Sequence, residues 1–238
     1  MNQEKLFFSI VIPAHNEEKY IEETLTNIKN LNYPADKLET IMVENGSADK
    51  TYEVAKKFEN ENMKILSSPE KGVSRARNFG IARINLKSDW TITLDADTVL
   101  KPEFLNNLND YLQKNQVKNY TVGTTTLLPL PDSRKARLWF AFYDIGHVIC
   151  KASYSIQIGK SSLLNLVKYD ESMTTGEDIK FIRDLMKYGK FFIFKTKAVS
   201  TSTRRFEQVG WWKLLFQWVF VASLPISMQK KFGYEITR

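Results

Sequence analysis

The chain carries one cysteine, Cys150, and two histidines, His15 and His147, in 238 residues. A lone thiol cannot build a disulfide framework, so a packed core must hold the fold, and a reducing, cytoplasmic setting is expected. Two histidines this far apart do not form a clustered zinc site. With seven prolines and ten glycines, collagen-like and low-complexity classes drop out. A secretory leader is not expected either. "MNQEKLFFSIVIPAHNEE" has only about seven apolar-rich residues before a proline and then turns acidic, which reads as a first strand.

What is present is the balance of a globular protein, 43% apolar and 26% charged residues, in a length that suits one α/β domain with embellishments. Lysine and arginine outnumber the acids 34 to 27, a net charge of +7. That excess suits an anionic small molecule, an acidic membrane surface or nucleic acid. No RRM or zinc-finger pattern appears and the lysines are scattered, so nucleic acid is not the expected partner. One long apolar stretch stands out, "VGWWKLLFQWVFVASLPISM" (Val209 to Met228), followed by "MQKKFG". It approaches a membrane span in length, but Lys213, Gln217, Ser223 and Pro225 interrupt it. A helix lying in the membrane interface fits better than a span; a helix packed on the domain or on a dimer partner would give the same pattern.

Strand-like and helix-like segments alternate through the first half. "LFFSIVI" ends at Pro13, and "EEKYIEETLTNIKN" sets Ile21, Leu25 and Ile28 at helical spacing. "LETIMV" leads into "ENGSADKT", where Ser47 is placed to cap a helix carrying Val54, Ala55 and Phe58. "MKIL", the helix "VSRARNFGIARI" after a turn at Gly72, and the strand "WTITL" follow. Pro102 then opens a helix with Phe104, Leu105, Leu108, Tyr111 and Leu112 on one face. This order predicts an open, mainly parallel sheet covered by helices. Beyond Tyr120, "YTVGTTTLLPLP" reads as strand and loop and "SRKARLWFAFYDIGHVIC" as an aromatic-rich helix. "TTGEDIKFIRDLMKYGK" is a helix with acids at its start, and "FFIFKTKAVSTSTRR" contains two short strands.

In such sheets ligands bind at the carboxyl ends of the strands, where the strand order reverses. The first strand ends in "PAHNEE", the second in "VENGSADK" and the fourth in "LDADT", so three polar clusters converge on one rim. Asp95 and Asp97, two apart on extended backbone, share a face. Close carboxylates repel unless a cation lies beside them, and oxygen ligands with open positions suit Mg²⁺ or Mn²⁺ held jointly with phosphates. The same residues are equally accounted for if Asp97 opens a turn and caps the Pro102 helix while Asp95 is solvated.

Five strings, "SIVIPAHNEEKYIEETL", "VENGSADKT", "KGVSRARNFGI", "LDADT" and "GEDIKF", stand in the order and approximate spacing of family 2 glycosyltransferases, which the chain resembles over roughly residues 8–205. The resemblance implies a single Rossmann-like GT-A domain with a mixed, mainly parallel central sheet flanked by helices. That domain is expected over 1–205, with a nucleotide-binding half over 1–100 and an acceptor-binding half over 101–205. A hydrophobic, basic C-terminal helical extension, 206–238, follows. The activity it implies is metal-dependent transfer, with inversion, of a sugar from a UDP- or GDP-sugar to an acceptor hydroxyl, with Mn²⁺ or Mg²⁺ as cofactor.

Carried over residue by residue, Pro13, Ala14, Asn16 and Glu17 resemble the loop that holds the ribose and base. Glu44 stands where the family has an aspartate facing the base, although "DDGS" is "ENGS" here, which leaves the base open. Arg75 and Arg77 cannot share a helix face; Arg75 is favoured for base or phosphates, and Asn78 for loop backbone. Asp97 resembles the direct metal ligand, with Asp95 meeting the ribose or a metal-bound water. Asp178, second of the "ED" pair, resembles the general base and Glu177 an acceptor-binding residue. Arg204 and Arg205 resemble a diphosphate clamp, for which the guanidinium fork is suited. Apart from the resemblance, Glu177 and Asp178 read as acids at a helix N-terminus, and the arginine pair as solvated charges.

Two rivals accompany this reading. "LDADTV" satisfies the DxDx[TV] opening of a haloacid-dehalogenase-like phosphatase with Asp95 as nucleophile, although that motif normally lies on the first strand of its domain. A non-catalytic nucleotide-sugar-binding module would keep the same acids without turnover. The C-terminal extension points to a lipid-linked or membrane-near acceptor of cell-envelope polysaccharide or glycolipid synthesis, at the inner face of the cell membrane. A homodimer through it is the other arrangement.

Overall fold

The computed structural model describes residues 4–153 and 155–223; the end of the apolar stretch, 224–228, and the "MQKKFG" string lie outside the described residues. In chain order the elements are β1 (Phe8–Ala14), α1 (Ile21–Lys29), β2 (Leu38–Glu44), α2 (Thr51–Lys56), β3 (Met63–Ser67), α3 (Val73–Ile81), β4 (Trp90–Leu94), β5 (Thr98–Leu100) and α4 (Phe104–Lys114). There follow β6 (Tyr120–Thr125), β7 (Leu128–Leu130), α5 (Arg134–Cys150), β8 (Ile156–Lys160), α6 (Glu177–Leu185), β9 (Lys190–Phe194), β10 (Val199–Ser202), α7 (Arg204–Val209) and α8 (Trp211–Ser223).

Seven strands form one sheet in the order β3-β2-β1-β4-β8-β6-β9. All run parallel except β8, which is antiparallel to both β4 and β6. Helices cover both faces, which is why β1 and β4 are buried at every position, the alternating Thr91 and Thr93 of β4 included. The helical spacings place Ile21, Leu25 and Ile28 of α1, and Phe104, Leu105, Leu108 and Leu112 of α4, in one core. β8 has no counterpart in the sequence reading. Its Ile156-Gln157-Ile158 alternation is brief, and Gln157 is as buried as its neighbours, its Oε1 accepting from the hydroxyls of Thr93 (2.7 Å) and Tyr169 (3.0 Å).

α3 packs on β1 and β2 through Gly80. A Cβ there would lie 2.5 Å from Cγ1 of Val11 and 3.2 Å from Cγ2 of Val43. Gly80→Ala is therefore expected to lower stability by about 1–3 kcal/mol, seen as a lower urea midpoint at unchanged slope. An unchanged midpoint would show that the helix can lift off the sheet.

Three expectations need correction. Ser47 does not cap α2, whose N-cap is Lys50; its hydroxyl accepts the Asn16 N–H at 3.0 Å. The "DTVL" segment is not simply a turn into a helix. Thr98–Leu100 forms β5, which joins β10 and β7 in a separate three-stranded sheet, and α4 starts at Phe104 with Glu103 as its N-cap. The helix expected in the apolar stretch also starts later than Val209: Gly210, at φ 95°, separates Val209, the last residue of α7, from α8. Phe206, Trp211 and Leu214 belong to the main core, and Phe206 packs on Phe140 and Tyr143 of α5. No break in packing therefore falls at the expected 205/206 boundary. Among the described residues no helix is long and apolar enough to cross a membrane.

Candidate active site

The β1/β4 ladder stops at Val11↔Thr93, whereas β1 stays paired with β2 as far as Ala14↔Glu44. The two central strands therefore part at their carboxyl ends, where the strand order reverses, and Pro13, with no N–H to leave unpaired, sits at the gap. A cleft of about 390 Å³ opens there. Of the residues expected in it, Pro13, Glu17, Asp95, Asp97, Glu177, Arg204 and Arg205 line it; Ala14, Asn16, Glu44, Arg75 and Asp178 do not.

Two arginines organise the acids. Arg77, with 6% of its side chain exposed, donates to Glu177 Oε1 at 2.9 Å and to Asp95 Oδ1 at 3.2 Å, and its guanidinium lies 5.0 Å from the Tyr169 ring centre. It ties the end of β4 to the start of α6. Arg204 donates to Glu17 Oε1 at 2.6 Å, approaches Asp97 Oδ2 at 3.1 Å and lies over the Tyr20 ring. The small sheet makes this second cluster. β5 begins just after Asp97 and β10 ends just before Thr203, and their antiparallel pairing, with Thr98 and Thr201 hydroxyls 2.9 Å apart, delivers Arg204 to Asp97.

Arg75, favoured for the base or phosphates, lies outside the lining of the cleft. Arg75 is half-exposed and faces Glu70 at 3.1 Å and Glu171 at 3.7 Å, whereas Arg77 is in the cleft. The signal was in the spacing: Ser74, Arg77 and Ile81 recur at helical intervals on the buried face of α3. Asn78 does bind loop backbone, exchanging hydrogen bonds with the Tyr169 main chain at 2.9 and 3.0 Å.

Glu44 is also placed differently. Its Oε1 accepts the Ser47 N–H and its Oε2 the Ser67 hydroxyl, so it braces the turn after β2 from behind the cleft. Asn45 lines the cleft instead, and its Oδ1 accepts the Gly72 N–H at 3.0 Å. Asn16, in the left-handed region at φ 56°, accepts the Ala48 N–H on Oδ1 at 2.8 Å and so staples the loops after β1 and β2. His15 lines the cleft and donates from Nδ1 to the Asn45 carbonyl at 2.9 Å. Lys71 and Thr174 line it as well; Lys71 opens the "KGVSRARNFGI" string without a role assigned to it, and Thr174 lies just outside "GEDIKF". His147 is held neutral by burial, its pKa pushed down to about 4.

Burial lifts Asp97 to about 7, opposed by Arg204 and reinforced by Asp95 and Glu17. Asp97 does not cap α4, so its carboxylate is left to the cleft. Asp178 stands at the start of α6, after Gly176 in a left-handed turn, and accepts the Ile179 N–H at 2.8 Å. Burial, reinforced by Glu177 and opposed by Arg77, lifts it to about 7 as well. A carboxyl balanced near neutrality is suited to taking a proton. Among the described residues no group of three or more Asp, Glu, His or Cys is arranged to hold a metal by itself. One carboxylate shared with phosphate oxygens is nevertheless a usual site for Mg²⁺, and Asp97 fits that pattern once Arg204 turns from it.

Residues 9–199 match the family model described as Glycosyl transferase family 2. The dolichyl N-acetyl-alpha-D-glucosaminyl phosphate 3-beta-D-2,3-diacetamido-2,3-dideoxy-beta-D-glucuronosyltransferase of Methanococcus voltae is 29% identical over 207 residues, 77% of this chain and 62% of that protein. S. aureus TarS in complex with UDP superposes with a TM-score of 0.68 at 18% identity, covering 94% of this chain and 68% of that one. The mannosyltransferase PcManGT from Pyrobaculum calidifontis, in complex with GDP-Man and Mn²⁺, gives 0.66 at 18% identity, over 84% and 57% of the two chains. These likenesses give the fold, which is of the GT-A type. The chain spans under two thirds of the length of the M. voltae relative. The match over most of the chain sets the phosphatase reading of "LDADTV" aside, and the chain belongs to glycosyl transferase family 2.

Proposed function

We propose that the chain is the catalytic unit of an inverting, metal-dependent glycosyltransferase that moves a sugar from a UDP- or GDP-sugar to an acceptor hydroxyl. The observation that carries the reading is the cleft at the β1/β4 parting, where Arg77 and Arg204 each bridge two acids, with Asp178 next to one of those acids. The UDP bound to TarS and the GDP-Man and Mn²⁺ bound to PcManGT support the donor class and the cofactor. The dolichyl phosphate in the name of the M. voltae relative supports a lipid-linked acceptor in envelope or glycolipid synthesis.

In this reading the nucleotide lies along Pro13, His15 and Asn45, and Asp95 meets the ribose. Arg204 and Arg205 face the diphosphate. Mn²⁺ or Mg²⁺ shared between Asp97 and the diphosphate would supply charge neutralisation for the leaving group. Glu177, held by Arg77, orients the acceptor, and Asp178 takes the proton of the acceptor hydroxyl as its oxygen attacks the anomeric carbon. The bond from that carbon to the diphosphate oxygen breaks on the opposite face and its electron pair leaves with the nucleotide. Asp178 is outside the lining of the cleft, next to Glu177, which lines it, and catalytic contacts commonly tighten only in the substrate complex.

The test is a thermal-shift screen with UDP-, GDP- and dTDP-sugars in Mn²⁺. One donor class should raise Tm, and Asp97→Ala should abolish the metal-dependent part of that rise. No shift with any donor would overturn the reading.

A further inference from the structure

α5 and α8 pack side by side through Trp139, whose ring centre lies 5.9 Å from that of Trp211 and 4.7 Å from that of Trp212. Their outer faces are apolar. On α5, Leu138, Phe142, Ile145 and Val148 are 74, 52, 60 and 55% exposed, and on α8 Trp212 and Phe216 are each 66% exposed. The spacing on each helix, three or four residues, makes each set a stripe. The cations on these two helices and at the α5 end, Arg134, Lys135, Arg137, Lys151 and Lys213, are all exposed; the acids there are the partly buried Asp144 on α5 and, just before α5, Asp132, which pairs with Arg137 and leaves four cations to the rim.

We propose that this two-helix face docks on an anionic lipid surface, lying in the interface with its apolar stripes among the acyl chains and its cations at the headgroups. The inference goes beyond the transfer reading and does not depend on it. Two observations favour this occupant. The basic rim complements anionic headgroups, whereas a second copy would bring two such rims together at a net charge of +7 each. Trp212, the most N-terminal residue of the α8 stripe, is exposed as tryptophans of interfacial segments are. α8 follows α7, which begins with the cleft residues Arg204 and Arg205, so docking holds the cleft next to the lipid surface.

Truncation at residue 205 would remove core residues, so point substitutions of the full chain provide the test. Cosedimentation with vesicles of phosphatidylcholine containing phosphatidylglycerol should be strong at low salt, and binding to phosphatidylcholine alone weaker. Phe142→Glu with Phe216→Glu should reduce binding roughly tenfold or more, and Lys135→Glu with Lys213→Glu should reduce it in the anionic vesicles specifically. Tm and nucleotide-sugar affinity should be retained in both pairs. Absence of vesicle binding by the wild type with nucleotide binding intact would overturn the docking proposal alone. So would a wild-type dimer that the Phe142→Glu/Phe216→Glu pair converts to monomer without any change in vesicle binding.

Discussion

Asp178→Asn is expected to lower kcat by about 10²–10⁴-fold, the usual cost of losing a positioned general base, with the donor dissociation constant nearly unchanged. The substitution keeps the shape of the side chain and its hydrogen bond to the Ile179 N–H but removes the proton acceptor. Stopped assays for released nucleoside diphosphate, alongside calorimetric donor binding, separate the two effects. Turnover at the wild-type rate would remove Asp178 from the mechanism. The pH profile adds a second readout. Asp178 must be ionised to act, so wild-type kcat should rise with pH through about 7 and then level off. Stability should move the other way. The folded chain keeps on this raised carboxyl a proton that the unfolded chain releases from about pH 4 upward. Native protein then binds more protons, and stability is lost as pH climbs from about 4 towards about 7. In Asp178→Asn that decline should shrink.

Arg77→Met should damage both fold and function. The guanidinium is buried between Asp95 and Glu177 and against Tyr169, so removing it leaves two acids facing each other without their counterion. Breaking a buried pair from one side costs about 3–5 kcal/mol. At roughly 2–4 °C per kcal/mol for a chain of this size, Tm should fall by about 6–20 °C. Transfer should fall with it, because Glu177 loses the contact that orients it. Arg75→Met is the matched control: its surface pairs are worth about 0–1 kcal/mol. Arg77→Lys retains the charge without the fork that reaches both acids and should fall between. Equal Tm values for Arg75→Met and Arg77→Met would show that the bridge does not hold the two halves of the cleft together.

The first half of the chain was legible because local patterns and tertiary placement agree there. Ile21, Leu25 and Ile28 point into the core that their spacing implies, and three strand ends meet where strand order reverses. The less legible features are non-local. Nothing in "DTVL" announces that it pairs with "VSTS", yet that pairing carries Arg204 to Asp97 and takes Asp97 away from the α4 cap. β8 hides because a strand buried on both faces can hold Gln157 as readily as Ile158, provided the amide is hydrogen-bonded. Glu44 shows the limit of matching by position, since the longer side chain turns back to Ser47 and Ser67 and leaves Asn45 at the cleft. Arg77 was within reach, and the helical period of α3 separates it from Arg75 without any structure.

The most direct test is proton NMR of the nucleotide sugar selected by the thermal-shift screen, incubated with the wild-type chain and Mn²⁺ and followed from the first minutes. Slow transfer to water should release the nucleoside diphosphate together with a free sugar whose anomeric configuration is first inverted relative to the donor. First appearance of the retained anomer, or release of inorganic phosphate in place of the nucleoside diphosphate, would contradict the account.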